Sequence, residues 1–222
     1  MQNASHEEAC ARVSSLFRPL WLRLYVSGKL RRDGVFRAAY ELLGDSAEPT
    51  LDVGCGVGLL PLYLRMRGAK QAVIGLDLDR GKIDHARSAA VKADCSGLTF
   101  LEQDAVRDLP EFRGNIALFD ALHYLDAGAQ KRLLSQLAER VAPGGRLLLR
   151  DCPRDRSARF WATYLGEIFA QTVSWNVSGP LHFPTRASIN EAFDGEMFAR
   201  EERPMFGGGP FNNRLFIFCR KL

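Results

Sequence analysis

The sequence predicts an α/β fold: a mostly parallel sheet covered on both faces, ending in an antiparallel hairpin and preceded by helices. Three observations carry this expectation. From Thr50 onward, strand-like and helix-like segments alternate. A glycine-rich turn, "LDVGCGVGLL" at 51–60, follows the first strand. The chain closes on two strand-like runs, "EMFAREERPMF" and "RLFIFCRKL", around the tip "GGGPFNN". Alternation implies crossover connections, and crossovers place helices over both sheet faces.

Each element has its own signal. Residues 12–27 carry Val13, Leu16, Phe17, Leu20, Trp21 and Leu24 at three- and four-residue spacing, a helical stripe that Pro19 starts or kinks. Asp33 is read as the cap of a second helix running to Leu43 and stopping at Gly44. Residues 1–46 are taken as a helical lid or cover, with His6 in a frayed end, and 47–222 as the main domain. Strands are expected at 50–54, 72–77, 98–103, 115–120 and 146–151. Helices are expected at 59–67, 80–93, 127–141 and 157–170, with a short one near 185–193. Pro61 suits a first helical turn, and Asp79 and Asp126 stand at cap positions.

Composition narrows the class. The 222 residues are 46% hydrophobic and 25% charged, ordinary for a soluble globular chain with a normal core. Cys10, Cys55, Cys95, Cys152 and Cys219 are scattered, with no C-x-x-C pair. This argues against a zinc knuckle or a disulfide framework and fits a reducing, cytoplasmic setting; no metal is expected. The opening "MQNASHEEACARV" lacks a signal-peptide pattern, and no apolar run is long enough to span a bilayer. Net charge is +4, concentrated early: Arg12, Arg18, Arg23, Lys29, Arg31, Arg32 and Arg37 stand against Asp33. This is either a solvated helical face or an attraction to an acidic partner.

The glycines point to a ligand beyond the first strand, where open parallel sheets bind one. The pattern is G-x-G-x-G, at Gly54, Gly56 and Gly58. Where a dinucleotide fingerprint places its third glycine stands Leu59, and no G-K-[ST] follows for a P-loop. Asp77 ends the second strand in "VIGLDLD", placed to accept from both hydroxyls of a ribose. With Asp52 before the turn, the site expects an adenosine-like ribose without a pyrophosphate.

These motifs, followed by "FLEQDAV", "LFDALHYLD" and "VAPGGRLLLRD", resemble class I S-adenosylmethionine-dependent methyltransferases over roughly 48–222. The resemblance implies a seven-stranded Rossmann-like sheet of order 3-2-1-4-5-7-6 with the last strand antiparallel. It implies S-adenosyl-L-methionine as cofactor and S-adenosyl-L-homocysteine as product. Carried over by motif, Gly54, Gly56 and Gly58, with Cys55 in the same turn, pass under the methionine and ribose. Asp52 fixes the turn and the amine, Asp77 takes the ribose, and Leu78 lies against adenine. Asp104 accepts from the adenine amine, with Ala105 nearby. Many relatives have an acidic residue opening the fourth strand, where this chain has Gly114-Asn115. Asp120, at that strand's far end, either reaches the methionine end or caps the next loop.

Methyl transfer from a sulfonium is an in-line displacement, so positioning dominates and a base is optional. His123 and Tyr124 follow the fourth strand and are the candidate catalytic residues: His123 as a base near neutral pH or a buried structural group, Tyr124 as a packing or hydrogen-bonding partner of the acceptor. Trp21, Tyr25, His182, Phe206 and Phe211 are candidate pocket residues, the last two flanking a tip on the cofactor side. The turn "DALHY" lacks the [ND]-P-P-[YF] of amino methyltransferases, and Cys152 lacks the motif surrounding a cytosine-5 nucleophile. An apolar, aromatic cover suggests an aromatic or acyl-type small molecule, with a weaker resemblance to bacterial secondary-metabolite enzymes. An acidic carrier protein bearing the acceptor would give the basic stretch a purpose. The competing readings are an RNA or protein methyltransferase, an inactive cofactor-binding scaffold, and a nicotinamide oxidoreductase.

Overall fold

A computed structural model describes residues 4–172, 180–206 and 209–222. The chain divides into two compact units, Met1–Ala117 and Leu118–Leu222.

The first unit opens with α1 (His6–Ser15), α2 (Leu20–Arg32) and α3 (Val35–Leu43). The stripe expected over 12–27 is therefore split. Proline has no N–H to continue a helix, and Pro19 stands at the N-cap of α2. His6 is not frayed. Ser5 and Glu8 form a capping box at the start of α1, and His6 Nδ1 lies 2.7 Å from the Tyr63 hydroxyl. Asp33 accepts from the Val35 amide at 3.1 Å, although Gly34 is the N-cap.

Then come β1 (Thr50–Val53), α4 (Leu59–Met66), β2 (Val73–Asp77), α5 (Arg80–Lys92) and β3 (Leu98–Glu102). Strand β2 pairs in parallel with β1 and β3. All four residues of β1 are buried, as a strand covered on both faces requires. Helix α4 packs on α1, α3, α5 and β2 and buries Leu60, Leu62, Tyr63 and Leu64; each such leucine contributes about 1.5–3 kcal/mol. Arg65 closes the following turn by donating to the Ala69 and Gln71 carbonyls at 2.6 and 2.8 Å. Asp79 caps α5 through the Lys82 amide, as expected.

Strand β4 (Asn115–Phe119) crosses the boundary between the units. The second unit continues with a 3-10 turn (Leu122–Tyr124), α6 (Ala127–Arg140), β5 (Arg146–Asp151), α7 (Ala158–Thr172) and α8 (Arg186–Glu191). It ends in β6 (Phe198–Pro204) and β7 (Arg214–Arg220). Asp126 caps α6 and Thr185 caps α8. Strand β7 runs antiparallel to both β5 and β6, so β6 is parallel to β5. Phe193 stacks on Phe218 at 3.7 Å and meets Phe198 edge-on at 5.4 Å, sealing this sheet edge. The sheet order is β3-β2-β1-β4-β5-β7-β6, the expected seven-stranded arrangement.

Candidate functional site

In the first unit, the turn after β1 needs glycine for two separate reasons. Gly54, Gly56 and Gly58 have φ of 72°, 57° and 79°, which L side chains rarely adopt. At Gly58 a Cβ would stand 2.8 Å from the Phe100 ring and 2.9 Å from Ala86, so the helix start packs tightly on the strands. At Gly56 a Cβ would meet nothing within 4 Å. The backbone there borders open space that a ligand can take.

Asp77 is fixed beside that space. Its Oδ2 accepts from the Gly56 amide at 2.8 Å and its Oδ1 from the Asp79 amide at 2.9 Å. Each carboxylate oxygen keeps a lone pair for a further donor. A vicinal diol offers two such donors. Asp52, one strand away, is buried, and burial, then the nearby Asp77 charge, raises its carboxyl to about 8. At neutral pH Asp52 therefore keeps its proton, and a cation bound beside it would favour the proton's loss.

The sign of the Asp52 effect follows from linkage. A folded pKa of about 8 against 3.8 means that folding favours the protonated form, so this group's stability contribution falls as pH rises from 3.8 through 8. Asp52→Asn is therefore expected to raise the thermal midpoint at pH 8 and leave it nearly unchanged at pH 4. Scanning calorimetry at the two pH values checks this; an equal shift at both would refute it.

The remaining first-unit candidates differ from one another. Cys55 sends its side chain into a core of Ile83, Ala86 and Phe100, and burial raises its thiol well above the usual range. What Cys55 can offer a ligand at the turn is therefore its backbone and not its thiol. Leu78 is 62% exposed beside Asp77. Asp104 accepts from the Val106 amide at 3.0 Å and pairs with Arg107 at 3.2 Å, while Ala105 is half-buried. Trp21 and Tyr25 lie on the outward side of α2 with Leu20 and Leu24.

The second unit holds a buried charged cluster. His123 is 3% exposed, with Nδ1 2.9 Å from Asp151 Oδ1, and its backbone amide donates to Asp151 Oδ2 at 3.2 Å. Nε2 lies 3.8 Å from Glu167 Oε2, which also accepts from the Tyr124 hydroxyl at 2.9 Å. Burial pulls the imidazole pKa down, but the Asp151 charge and hydrogen bond, with help from Glu167, raise it to about 10. His123 thus holds its proton at neutral pH. Of the two expected roles this favours the buried structural group over the base, since an imidazolium has no lone pair to take a proton.

Asp120 has a partner that neither expectation included. Its φ is 53°, its amide donates to the Arg150 carbonyl, and its carboxylate pairs with the buried Arg150 guanidinium. Sequence reasoning missed Arg150, Asp151 and Glu167 as site residues. The first two had a signal: "RD" follows three leucines at the end of a strand, and charges buried there need partners. Glu167 had none, since it reads as an ordinary helix residue. Cys152 packs on Phe160 and Phe183, and burial pushes its thiol up to about 12, so no thiolate is available for nucleophilic attack.

The β6–β7 tip stands at the carboxyl end of β5, because Arg214 registers with both Asp151 and Pro204. Phe206 lies between the guanidinium groups of Arg159 and Arg214, at 4.5 and 4.9 Å. Phe211 packs beside Gly166, where a Cβ would stand 3.0 Å from its ring. Buried Asn212 donates through its amide to Thr163 and through its side chain to Asp155, both at 2.9 Å. Gly207 and Gly208 of the expected tip lie outside the described residues.

His182 lines a cavity of about 640 Å³ within the second unit. Phe160, Trp161, Tyr164 and Phe183 form its aromatic wall, with Lys131, Arg154 and Glu191 among its polar residues. Among the described residues no cluster of His, Cys, Asp and Glu could hold a metal ion, and no helix is long and apolar enough to cross a membrane.

Residues 50–145 match the family model described as a methyltransferase domain. Similar proteins include ribosomal RNA small subunit methyltransferase C of Chromohalobacter salexigens, 34% identical over 119 residues, covering 48% of this chain and 32% of that protein. The mitochondrial ubiquinone biosynthesis O-methyltransferase of Candida albicans is 28% identical over 145 residues, covering 63% and 41%. The chain thus spans about a third to two fifths of the length of these relatives. Among solved structures, magnesium protoporphyrin IX methyltransferase (ChlM) from Synechocystis PCC 6803 with bound SAH has a TM-score of 0.65 at 19% identity, covering 95% of this chain and 93% of that one. The mitomycin 7-O-methyltransferase MmcR has a TM-score of 0.65 at 20% identity, covering 89% and 56%. At these identities the likeness establishes the fold.

Proposed function

We propose that this chain, a member of the class I S-adenosylmethionine-dependent methyltransferase family, transfers a methyl group from S-adenosylmethionine to a small-molecule acceptor and leaves S-adenosylhomocysteine. The observation that carries the reading is Asp77, with both oxygens steadied by backbone amides beside the open face of Gly56. That arrangement fits the two hydroxyls of an adenosine ribose. Asp52 is assigned to the methionine end, where a bound ammonium would favour loss of the proton that burial holds on its carboxyl. No pyrophosphate-type glycine stands at Leu59. When bound, the cofactor supplies an electrophilic methyl carbon and a neutral thioether leaving group.

The chain's own part is positioning. Asp77 and the glycine turn hold the donor. In the second unit, the half-buried ion pair of Asp120 with Arg150 and the buried pair of His123 with Asp151 hold the segment after β4. Such preorganisation is what an in-line displacement needs most. With His123 already protonated, proton removal at neutral pH falls to solvent or to the acceptor's own acidity. The aromatic cavity and the small molecules in the names of ChlM and MmcR favour a small aromatic or acyl-type acceptor. The basic stretch at 11–40 favours an acidic carrier protein as the vehicle, and residues 1–46 are proposed as the cover. Free thiols and the neighbours' small-molecule chemistry suit a cytoplasmic enzyme of secondary metabolism.

A second reading, methylation of RNA or a ribosomal protein, is favoured by the ribosomal RNA enzyme and by ribosomal protein L11 methyltransferases among the relatives. Thermal-shift and transfer measurements separate the cases. A hundredfold excess of S-adenosylhomocysteine over its Kd is expected to stabilise the protein by about 2.7 kcal/mol, while NAD shifts nothing. Label from methyl-tritiated S-adenosylmethionine should pass to phenols or aromatic acids and not to RNA. No shift with S-adenosylhomocysteine would sink the enzyme reading and revive the nicotinamide alternative, whereas a shift without label transfer to any acceptor would favour the inactive cofactor-binding scaffold.

A further inference from the structure

The cavity of the second unit is not explained by the donor site. Its lining includes none of Gly54, Gly56, Gly58, Asp77 or Asp104. We propose that it binds a planar aromatic carboxylate, with the ring against Phe160, Trp161, Tyr164 and Phe183 and the carboxylate on Arg154. This rests on the methyltransferase reading in one respect: the ligand is taken to be the methyl acceptor.

The wall is built for flat rings. Phe160 meets Phe183 edge-on at 5.4 Å, and Trp161 meets Tyr164 edge-on at 5.9 Å. Perpendicular pairs present faces and edges together, the geometry that a further aromatic ring prefers. The wall is also held in place. Phe183 stacks on the buried His123 ring at 5.1 Å, and the His182 amide donates to the His123 carbonyl at 2.8 Å. Gln130 Nε2 donates to the carbonyls of Leu122, Leu125 and His182, which ties the cavity floor to the 3-10 turn. The Arg154 amide donates to the Pro184 carbonyl at 2.7 Å. A preformed wall spares a ligand the entropy of ordering it.

Charge selects the substituent. Of the three ionic side chains lining the cavity, Lys131 and Glu191 pair with each other at 2.8 Å. Arg154 is exposed and has no carboxylate within ion-pair distance among the described residues. Its planar fork matches a carboxylate through two parallel hydrogen bonds. The volume, about 640 Å³, lies within the small-molecule range and leaves room for a fused ring system.

Calorimetric titration of the whole chain, with and without saturating S-adenosylhomocysteine, tests this with three probes: 2-naphthoate, 2-naphthamide and cyclohexanecarboxylate. Naphthoate is expected to bind at least about tenfold more tightly than either of the others, since each lacks one of the two recognition elements. Arg154→Gln should erase the preference for naphthoate over naphthamide. Trp161→Ala should weaken both aromatic probes about tenfold. Both side chains are exposed, and circular dichroism confirms that the variants fold. Equal affinity for naphthoate and naphthamide, or unchanged naphthoate binding by Arg154→Gln, overturns the proposal. Binding of S-adenosylhomocysteine without naphthoate binding defeats this proposal alone. Naphthoate binding without any affinity for S-adenosylhomocysteine defeats the methyltransferase reading and leaves the cavity assignment standing.

Discussion

Asp77→Ala is expected to weaken S-adenosylmethionine binding by about 100-fold or more while leaving the sheet intact. Two losses add. A charged acceptor of two ribose hydrogen bonds disappears, and each such bond contributes roughly 1.5–3 kcal/mol. A hundredfold change needs only about 2.7 kcal/mol, so even the lower estimate reaches it. The Gly56 and Asp79 amides also lose their acceptor, which loosens the turn itself. The fold survives because Asp77 is only half-buried at the end of β2, where no apolar packing is removed. Isothermal titration of wild type, Asp77→Ala and Asp77→Asn gives the comparison. Asparagine retains one acceptor oxygen and should fall between the other two. Wild-type affinity in the alanine variant would mean that the donor lies elsewhere.

Asp151→Ala is expected to destabilise the protein by about 3–5 kcal/mol, because it strands a buried imidazolium. At roughly 2–4 °C per kcal/mol for a chain of this size, the midpoint should drop by roughly 10 °C. A pH signature separates this from a simple cavity. The folded His123 pKa of about 10 stands above its ordinary 6.5, so its stabilising contribution is complete below pH 6.5 and is lost as pH rises through 10. Its full size in wild type is on the order of 5 kcal/mol. The gap between wild type and Asp151→Ala should therefore narrow steadily from pH 6 to pH 10. Urea melts at pH 6, 8 and 10 measure it. A constant gap would show that His123 is not charged in the folded state.

The sheet was legible because its signals are local and redundant. The middles of β4 and β5 read as short apolar runs, Asp79 and Asp126 announce their helices, and three closely spaced glycines mark a turn whose backbone takes positive φ. The proposed donor site drew on equally local signals, since Asp52, the glycines and Asp77 lie on consecutive elements of one crossover. The second unit was less so. Asp151 reaches His123 across 28 positions, and Glu167 meets Tyr124 across 43. No periodicity or spacing encodes such pairings. His123 illustrates the limit: its identity suggested a titrating base, but its protonation state is set by neighbours that only the fold supplies. The same holds for Cys55, whose place in the motif said nothing of its side chain turning into the core.

The adjacent Arg150 and Asp151 have one more effect. Successive side chains on a strand point to opposite faces, so one strand end grips residue 120 from one side and residue 123 from the other. A one-residue slip of β5 would exchange these faces. Arginine would then confront an imidazolium, and aspartate would confront Asp120. Both pairings would change from attraction to repulsion at once. The two charges act as a parity check on strand alignment, admitting only the register in which the loop after β4 is correctly seated.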